Sequence, residues 1–291
     1  MLVIVGPTAS SKSAVGLEAA ERIGGRILSL DSMQVYRGMD VGTAKASPAD
    51  RGRVPHSMID IADPSDEYSV EEFQREARSI LESVPEPVIL VGGSGLHMRA
   101  VIDPLEFLPT DAALREELEG IDSDELVAEL VFDDPAAGDF VDLANPRRVI
   151  RAVEVHRLTG RSPQSISREP SRLAVTRYEA RYPCRIVGLD PGDALAGRVD
   201  ARLARMVAGG LIEEVAELAP RLGRTAAQAV GYAQMLPVVR GETSVDEGVA
   251  ATRTATMDLA RRQRAWFRRD PRVRWLDPLR DDVVAAVMEM A

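Results

Sequence analysis

Residues 2–13, LVIVGPTASSKS, decide the fold prediction for this chain. The four apolar residues predict a short buried strand, and the Gly-, Pro- and Ser-containing stretch after them predicts a tight loop that opens a helix. Gly6, Lys12 and Ser13 match a phosphate-binding loop, in which four residues separate a first glycine from a second glycine, a lysine and a serine or threonine. Ser11 stands where this pattern has its second glycine.

Such a loop binds phosphate because successive backbone N–H groups and a helix N-terminus form a concave anion site. Lys12 would neutralise the outer phosphate charge, and the Ser13 hydroxyl would bind Mg²⁺. A left-handed backbone at Ser11 would cost about 1–2 kcal/mol, which weakens the loop without abolishing the site. A chance match on an ordinary strand–turn–helix is the alternative. The predicted phosphate-binding residues are Gly6, Thr8, Ala9, Ser10, Ser11, Lys12 and Ser13.

The rest of the pattern predicts an α/β fold. Short apolar runs at 26–30, 87–91 and 184–189 read as strands that alternate with helical stretches. This alternation indicates a P-loop NTPase-like parallel sheet covered by helices. Ligands bind such sheets at the carboxyl ends of the strands, where Asp31 and Ser94 also fall.

Residues 110–141 are acidic and helical in pattern, which predicts a helical insertion domain at about 108–142. The α/β core would then comprise residues 1–107 and 143–291. Within that core, 145–159 predicts an Arg-rich helix, whereas 163–182 shows little periodicity and predicts a loop.

Composition narrows the class of protein. The net charge of −10 argues against indiscriminate nucleic-acid binding, and the single cysteine, Cys184, excludes an internal disulfide. The only two lysines, Lys12 and Lys45, lie in the phosphate loop and in the sequence GTAK, which suggests a chemical constraint on both. Without a membrane-length apolar segment or a targeting segment, we expect a cytoplasmic protein that does not bind membranes, and we expect it to be a monomer.

Three further segments carry polar groups suited to chemistry. Asp31 directly follows a strand and could be a general base or a magnesium contact, although a helix cap explains it equally well. Ser94, in the sequence VGGSGLH, offers a hydroxyl on a turn that is common in α/β proteins. The seven arginines and the aromatic pair in RRQRAWFRRDPRVR (261–274) fit an RNA contact, with a solvated surface as the alternative. His56, His97 and His156 show no metal-ligand spacing and are expected to be structural or exposed.

Taken together, these stretches resemble the bacterial tRNA dimethylallyltransferases, also called tRNA isopentenyltransferases. The resemblance rests on GPTASSKS, DSMQVYRGMDVGTAK, VPHSMIDIADP, ILVGGSGLH, NPRRVIRAVEVHRLTG, GLIEEVAEL, AVGYAQ and ARRQRAWFRRDPRVRWLD, in family order over nearly the whole chain. It implies transfer of a dimethylallyl group from dimethylallyl diphosphate to the exocyclic N6 amine of the tRNA adenosine beside the anticodon, adenosine 37, with release of diphosphate. The phosphate loop would then bind the prenyl diphosphate, with Mg²⁺ as cofactor.

The same resemblance implies roles for individual residues. Asp31 matches the family's general base, and Ser94 replaces the family's usual threonine in a contact near the amine or the phosphate. With Lys12, these form the expected catalytic set. The expected tRNA-binding residues are Asp31, Ser32, Met33, Gln34, Arg147, Arg148, Arg151, Gln228, Gly231 and Tyr232.

The chain departs from the family pattern at Ser11, Ser57, His97 and Met257. Met257 replaces an arginine, and loss of a charge-assisted hydrogen bond there would cost about 1.5–3 kcal/mol. Arg253, one helical turn earlier, is the predicted substitute. Two alternatives stay open: a P-loop small-molecule kinase that binds ATP, and a divergent family member that binds tRNA with reduced or lost turnover.

Overall fold

The structure, a computed structural model, describes residues 1–290 of the chain. Within these residues the strands are β1 (Leu2–Val5), β2 (Arg26–Ser29), β3 (His56–Ser57), β4 (Val88–Gly92), β5 (Arg185–Leu189) and β6 (Val273–Leu276). They form one sheet in the order β3-β2-β4-β1-β5-β6, and every pairing is parallel. The predicted fold class is therefore confirmed.

The helices begin and end close to the residues that the periodicity predicts, most clearly at the long helix near the C-terminus. In chain order they are α1 (Lys12–Arg22), α2 (Pro48–Arg53), α3 (Val70–Ser83), α4 (Gly95–Ile102), α5 (Ala112–Glu119), α6 (Ser123–Asp133), α7 (Pro146–Thr159), α8 (Pro163–Ser167), α9 (Pro170–Thr176), α10 (Leu195–Ala208), α11 (Leu211–Leu218), α12 (Tyr232–Val239), α13 (Val245–Phe267) and α14 (Val283–Glu289). Among the described residues, no helix is both long enough and apolar enough to cross a membrane.

The chain divides into two compact units, Met1–Ile102 with Tyr182–Ala291 and Asp103–Arg181. In the first unit the strands alternate their side chains between two apolar layers. Leu2 and Ile4 pack with α1 and α14 on one face of the sheet. Val3 and Val5 pack on the other face with α3, α4 and the helices after β5.

The strand order brings three loops together at one edge of this sheet. Since β4 lies between β1 and β2, the loop after β1, the turn after β4 and the residues after β2 are neighbours. These segments contain Lys12, Ser94 and Asp31. The carboxyl ends of parallel strands thus assemble the residues that the sequence singled out.

The second unit is helical and has its own core, which includes Leu118, Leu130 and Val153. It is wider than the insertion predicted at 108–142, because α7 packs against α5 and α6 and so belongs to this unit rather than to the α/β core. The loop predicted at 163–182 is also wrong in part. Pro163 and Pro170 each occupy the first turn of a short helix, where proline's missing N–H costs nothing.

Candidate active site

The phosphate loop turns tightly against the end of β5. Gly6 has φ +152°, and a Cβ atom there would lie 2.3 Å from the carbonyl oxygen of Leu189, so no other residue fits without a shift. Ala9 and Ser11 both have left-handed backbones, with φ of 60° and 63°. Ser11 therefore carries the conformation that the family pattern assigns to glycine, and α1 begins directly after it.

An arginine from α10 compensates the strained serine. Arg198 donates from Nη2 to Ser11 Oγ over 2.6 Å and from Nε to the Ala9 carbonyl oxygen over 2.7 Å. Both loop residues with left-handed backbones are thus bonded to one guanidinium. Among the described residues, Arg198 has no carboxylate partner, so its positive charge remains available to an anion in the loop.

Lys12 lies at the mouth of the loop with its ammonium on the carbonyl oxygen of Pro7, at 3.0 Å. Desolvation, followed by the nearby positive charge of Arg202, lowers the pKa of Lys12 to about 8, against an opposing contribution from Asp31. Burial likewise lowers the pKa of Arg202 below its ordinary value. Two cations held close together in a poorly solvated site favour binding of a polyanion, which would relieve both penalties.

A cavity of about 130 Å³ lies beside these cations. Its polar lining residues include Thr8, Lys12, Ser13, Asp31, Gln34, Arg202 and Gln263. Its aliphatic lining residues include Val199, Leu203, Met206, Leu211 and Leu259. A site lined by both charged groups and aliphatic side chains suits a ligand with an anionic end and a hydrocarbon end.

Asp31 is held by the backbone that follows it. Its Oδ1 accepts hydrogen bonds from the N–H groups of Met33 (2.9 Å) and Gln34 (3.4 Å). Within residues 1–290, its Oδ2 has no hydrogen-bond partner, and the residue lines the cavity. The helix-cap interpretation is thus excluded, since the turn after Asp31 does not begin an α-helix. One oxygen fixes the carboxylate and the other is left for a ligand.

Gln263, on α13, joins the phosphate loop to the turn after β4. Its Oε1 accepts from the Thr8 N–H over 2.8 Å, and its Nε2 donates to the Gly93 carbonyl oxygen over 3.0 Å. Sequence reasoning missed this residue, although it lies in the ARRQ segment that carried the family resemblance. Only the family resemblance of this segment could have indicated Gln263. No local spacing could, because nearly 170 residues separate it from its partner Gly93.

Ser94 is bonded to His97, which the sequence predicted to be structural or exposed. His97 Nδ1 lies 2.7 Å from Ser94 Oγ, and its side chain is almost entirely buried. The Ser94 N–H donates to the Leu30 carbonyl oxygen over 3.2 Å, which places Ser94 beside the residue that precedes Asp31. Histidine at position 97 therefore contacts a predicted catalytic residue directly.

The loop that closes the cavity on its far side is organised by Glu214 on α11. Its carboxylate accepts from the backbone N–H groups of Asp40 (2.9 Å), Val41 (2.7 Å) and Gly42 (2.9 Å). It also accepts from the Tyr232 hydroxyl, and burial together with this bond raises the pKa of Tyr232. The Glu214 carboxylate thus joins two of the segments that carried the family resemblance, GLIEEVAEL and AVGYAQ.

A family model described as IPP transferase matches residues 34–270. The chain belongs to the IPP transferase family. It is 43% identical over 287 residues to a tRNA dimethylallyltransferase of Streptomyces coelicolor, a match that covers 95% of this chain and 89% of that protein. It is 42% identical over 313 residues to a tRNA dimethylallyltransferase of Kineococcus radiotolerans, covering 100% and 96% of the two chains.

Solved structures agree with this assignment. A full-length tRNA isopentenylpyrophosphate transferase of Bacillus halodurans superposes with a TM-score of 0.69 at 34% identity, over 99% of this chain and 93% of that one. A eukaryotic dimethylallyltransferase acting on tRNA gives a TM-score of 0.85 at 22% identity, over 100% and 77%, which shows the shared fold. These relatives give no support to the kinase alternative.

Within this IPP transferase fold, the predicted tRNA-binding residues of the α/β unit have different environments. Asp31, Met33, Gln34 and Gly231 line the cavity, and Ser32 lies between two of them in the chain. Gln228 is exposed. Tyr232 has no exposed surface and its hydroxyl is engaged by Glu214, which argues against a direct contact of its side chain with tRNA. The tyrosine packs under the loop and does not line the cavity.

The arginines of the helical unit are also unequal. Arg147 and Arg148 are exposed, and Arg148 pairs with Asp142 at 3.3 Å. Arg151 instead donates to the carbonyl oxygens of Leu108 and Pro109 and to the fully buried carboxylate of Glu154. Its guanidinium holds the start of this unit to α7, which argues against the predicted role in binding tRNA.

The predicted substitution of Arg253 for the missing arginine at 257 is wrong. Arg253 is exposed and pairs with Asp200 at 2.6 Å, and it does not line the cavity. Met257 packs with Ala9 in a small apolar cluster behind the phosphate loop. The cations near the loop come from α10 instead, through Arg198 and Arg202.

Proposed function

We propose that this protein transfers a dimethylallyl group from dimethylallyl diphosphate to the N6 amine of the adenosine beside the anticodon of a tRNA. The observation that carries the proposal is the single cavity shared by Lys12, Arg202 and the unpartnered Oδ2 of Asp31. An anion site and a carboxylate base that open into one space are what nucleophilic displacement of a diphosphate needs. Membership of the IPP transferase family supports the same chemistry.

The phosphate loop and the two cations would bind the diphosphate. In the reaction the bond between carbon 1 of the dimethylallyl group and the diphosphate oxygen breaks, and the electron pair leaves with the diphosphate. Lys12 and Arg202, which line the cavity, and backbone N–H groups of the loop would stabilise the charge of the leaving group. The aliphatic side chains of Val199 and Leu203 would contact the hydrocarbon.

Asp31 would act on the other reactant. The adenine amine is a poor nucleophile because its lone pair is delocalised, so a base must take its proton while the new N–C bond forms. Asp31 Oδ2 would receive that proton, and the Asx-type bonds to Oδ1 would keep the carboxylate from turning away. The adenosine would have to leave its stack to reach the cavity.

Magnesium fits this site as a partner of the diphosphate. Among the described residues there is no group of three or more His, Cys, Asp or Glu side chains that could hold a metal ion by itself. The exposed Ser13 hydroxyl would be one ligand, with the remaining ligands supplied by diphosphate oxygens and water, an arrangement that Mg²⁺ favours. The ion, when bound, would neutralise charge on the leaving group.

The exposed end of α13 would contact the RNA. Arg262 and Trp266 are exposed one helical turn apart on the last part of α13, and Arg269 is exposed just beyond its end. Trp266 packs so closely on Gly95 that a Cβ there would meet its ring at 1.9 Å, which puts this basic surface one residue from Ser94. Phosphates flanking a base inserted into the cavity would find cations and an aromatic ring at its rim.

The decisive experiment is transfer of labelled dimethylallyl from its diphosphate to unmodified tRNA with magnesium, with ATP tested in parallel. Label on the adenosine supports the proposal; tRNA binding without transfer would favour the divergent family member with lost turnover. Asp31→Asn should slow single-turnover transfer by about 10²–10⁴-fold. Asp281→Asn, an exposed substitution remote from the cavity, is the matched control. An unchanged rate in Asp31→Asn would refute its role as the base. The monomeric state and cytoplasmic location remain predictions.

A further inference from the structure

His97 lies in the first turn of α4, and its imidazole is almost fully buried, which is unusual for a polar ring unless it has a hydrogen-bond partner. Its side chain is 7% exposed, and its ring stands edge-on to Phe73 with centroids 4.6 Å apart and an interplanar angle of 88°. Its Nδ1 is 2.7 Å from Ser94 Oγ. A polar ring held by an aromatic neighbour on one side and a hydroxyl on the other has a fixed orientation.

The hydrogen bond between His97 and Ser94 can be assigned a donor and an acceptor. Burial lowers the pKa of His97 to about 4, so the imidazole is neutral near pH 7 and one of its nitrogens is an acceptor. The separation of 2.7 Å is typical of a hydroxyl donor and short for an N–H donor. In addition, the His97 backbone N–H already donates, weakly, to Ser94 Oγ at 3.4 Å. In the tautomer that has Nδ1 as the acceptor, which this short distance favours, Ser94 gives its only proton to Nδ1.

We propose that His97 is a positioning residue that holds the Ser94 proton and so turns a Ser94 lone pair towards the amine of the substrate. The inference rests on the proposed function. A primary amine has two N–H groups, and the site would offer two acceptors: Asp31 Oδ2 takes one proton as the new bond forms, and Ser94 Oγ accepts a hydrogen bond from the other. Ser94 is then an acceptor for the amine and not a proton donor to the diphosphate.

The fold places the two acceptors at neighbouring strand ends. The Ser94 N–H is bonded to the Leu30 carbonyl, directly before Asp31. The charge of Asp31 also acts on His97, raising its pKa against the larger effect of burial. Both carboxylate and hydroxyl therefore lie at the adjoining ends of β2 and β4.

A double-mutant cycle tests the proposal. His97→Phe keeps the ring and removes Nδ1, and we expect it to lower the single-turnover rate about tenfold at saturating substrates, with little change in KM for dimethylallyl diphosphate. In the Ser94→Ala background the same substitution should lower the rate less than twofold, because the proton that His97 holds is absent. Equal losses in both backgrounds would overturn the proposal and assign His97 to packing alone.

A second variant separates positioning from folding. His97→Asn retains a carbonyl acceptor close to the place of Nδ1, and we expect its rate to return to within about threefold of the unsubstituted protein. Melting temperatures of every variant identify losses due to unfolding. Failure of His97→Asn to recover activity, in protein that melts normally, also counts against the proposal. Absence of transfer by the unsubstituted protein would instead refute the proposed function, so the two failures are distinguishable.

Discussion

Replacing Ser11 with glycine, the residue of the family pattern, should destabilise the protein. Ser11 has φ 63°, and relief of this left-handed backbone is worth about 1–2 kcal/mol. The greater freedom of glycine in the unfolded chain removes about 0.5–1 kcal/mol of that gain. The substitution also removes the acceptor of the 2.6 Å bond from Arg198, which at a half-buried position is worth about 1.5 kcal/mol. The expected net change is a loss of about 0.5–1 kcal/mol.

Urea unfolding of four proteins measures this prediction: the unsubstituted chain, Ser11→Gly, Arg198→Met and the double variant. In Arg198→Met, Ser11 keeps its strained left-handed backbone but loses the hydrogen bond from the guanidinium that offsets the strain. In the Arg198→Met background, Ser11→Gly should therefore stabilise the protein by about 0.5–1 kcal/mol, so that the sign of its effect reverses. If Ser11→Gly stabilised the protein equally in both backgrounds, the idea that Arg198 compensates the strained serine would be refuted.

Four further predictions concern charged groups. The pKa of Lys12 is about 8, and anion binding favours its charged form. Calorimetry should therefore show that the affinity for diphosphate falls about tenfold per pH unit above pH 8. The Lys12→Met variant should bind diphosphate weakly at every pH. For the same reason the free energy of unfolding should rise between pH 8 and 10.5, where the unfolded chain binds a proton that the folded one lacks. Glu214→Gln should lower the free energy of unfolding in urea by about 2–4 kcal/mol, because an amide cannot accept all the hydrogen bonds from the loop N–H groups. Tyr232→Phe, which removes only the hydroxyl bond to Glu214, is the control and should cost about 1 kcal/mol. Glu154→Gln should destabilise the helical unit by about 1–3 kcal/mol, because an amide replaces the buried carboxylate that accepts from Arg115, Arg151 and the Asp111 N–H. Hydrogen exchange in α7 measures it, and unchanged protection would contradict it.

Periodicity predicted the elements of this protein well because most of them are determined locally. The helix predicted from about 245 to 267 matches α13, and Ser244 caps it through a capping box that lies within four residues. The phosphate loop could likewise be predicted, since its strand, glycine, lysine and helix are contiguous. The short helices α8 and α9 were missed because five to seven residues carry too little periodicity to identify.

The residues of the candidate site also differ in whether local sequence patterns could identify them. Lys12, Asp31 and Ser94 could be proposed from the sequence because each follows a predicted strand or lies in a known loop pattern. Gln263, His97 and Arg198 were missed as site residues because their partners come from other elements, or because their residue types are common in ordinary surroundings. The burial of Tyr232 could not be predicted, because a motif indicates that a residue matters without indicating whether its side chain is exposed.

By itself, the sequence determined the family, the parallel α/β architecture and the anion-binding loop, because these depend on local patterns and on order along the chain. The tertiary structure decided which cations serve the loop. Only the fold shows that Met257 packs on the same apolar cluster as Ala9, whereas Arg253 pairs with Asp200. Arg198 and Arg202 reach the site from α10 because the parallel sheet brings distant segments to the carboxyl ends of its strands. Contacts of that kind are set by packing, which no local sequence pattern encodes.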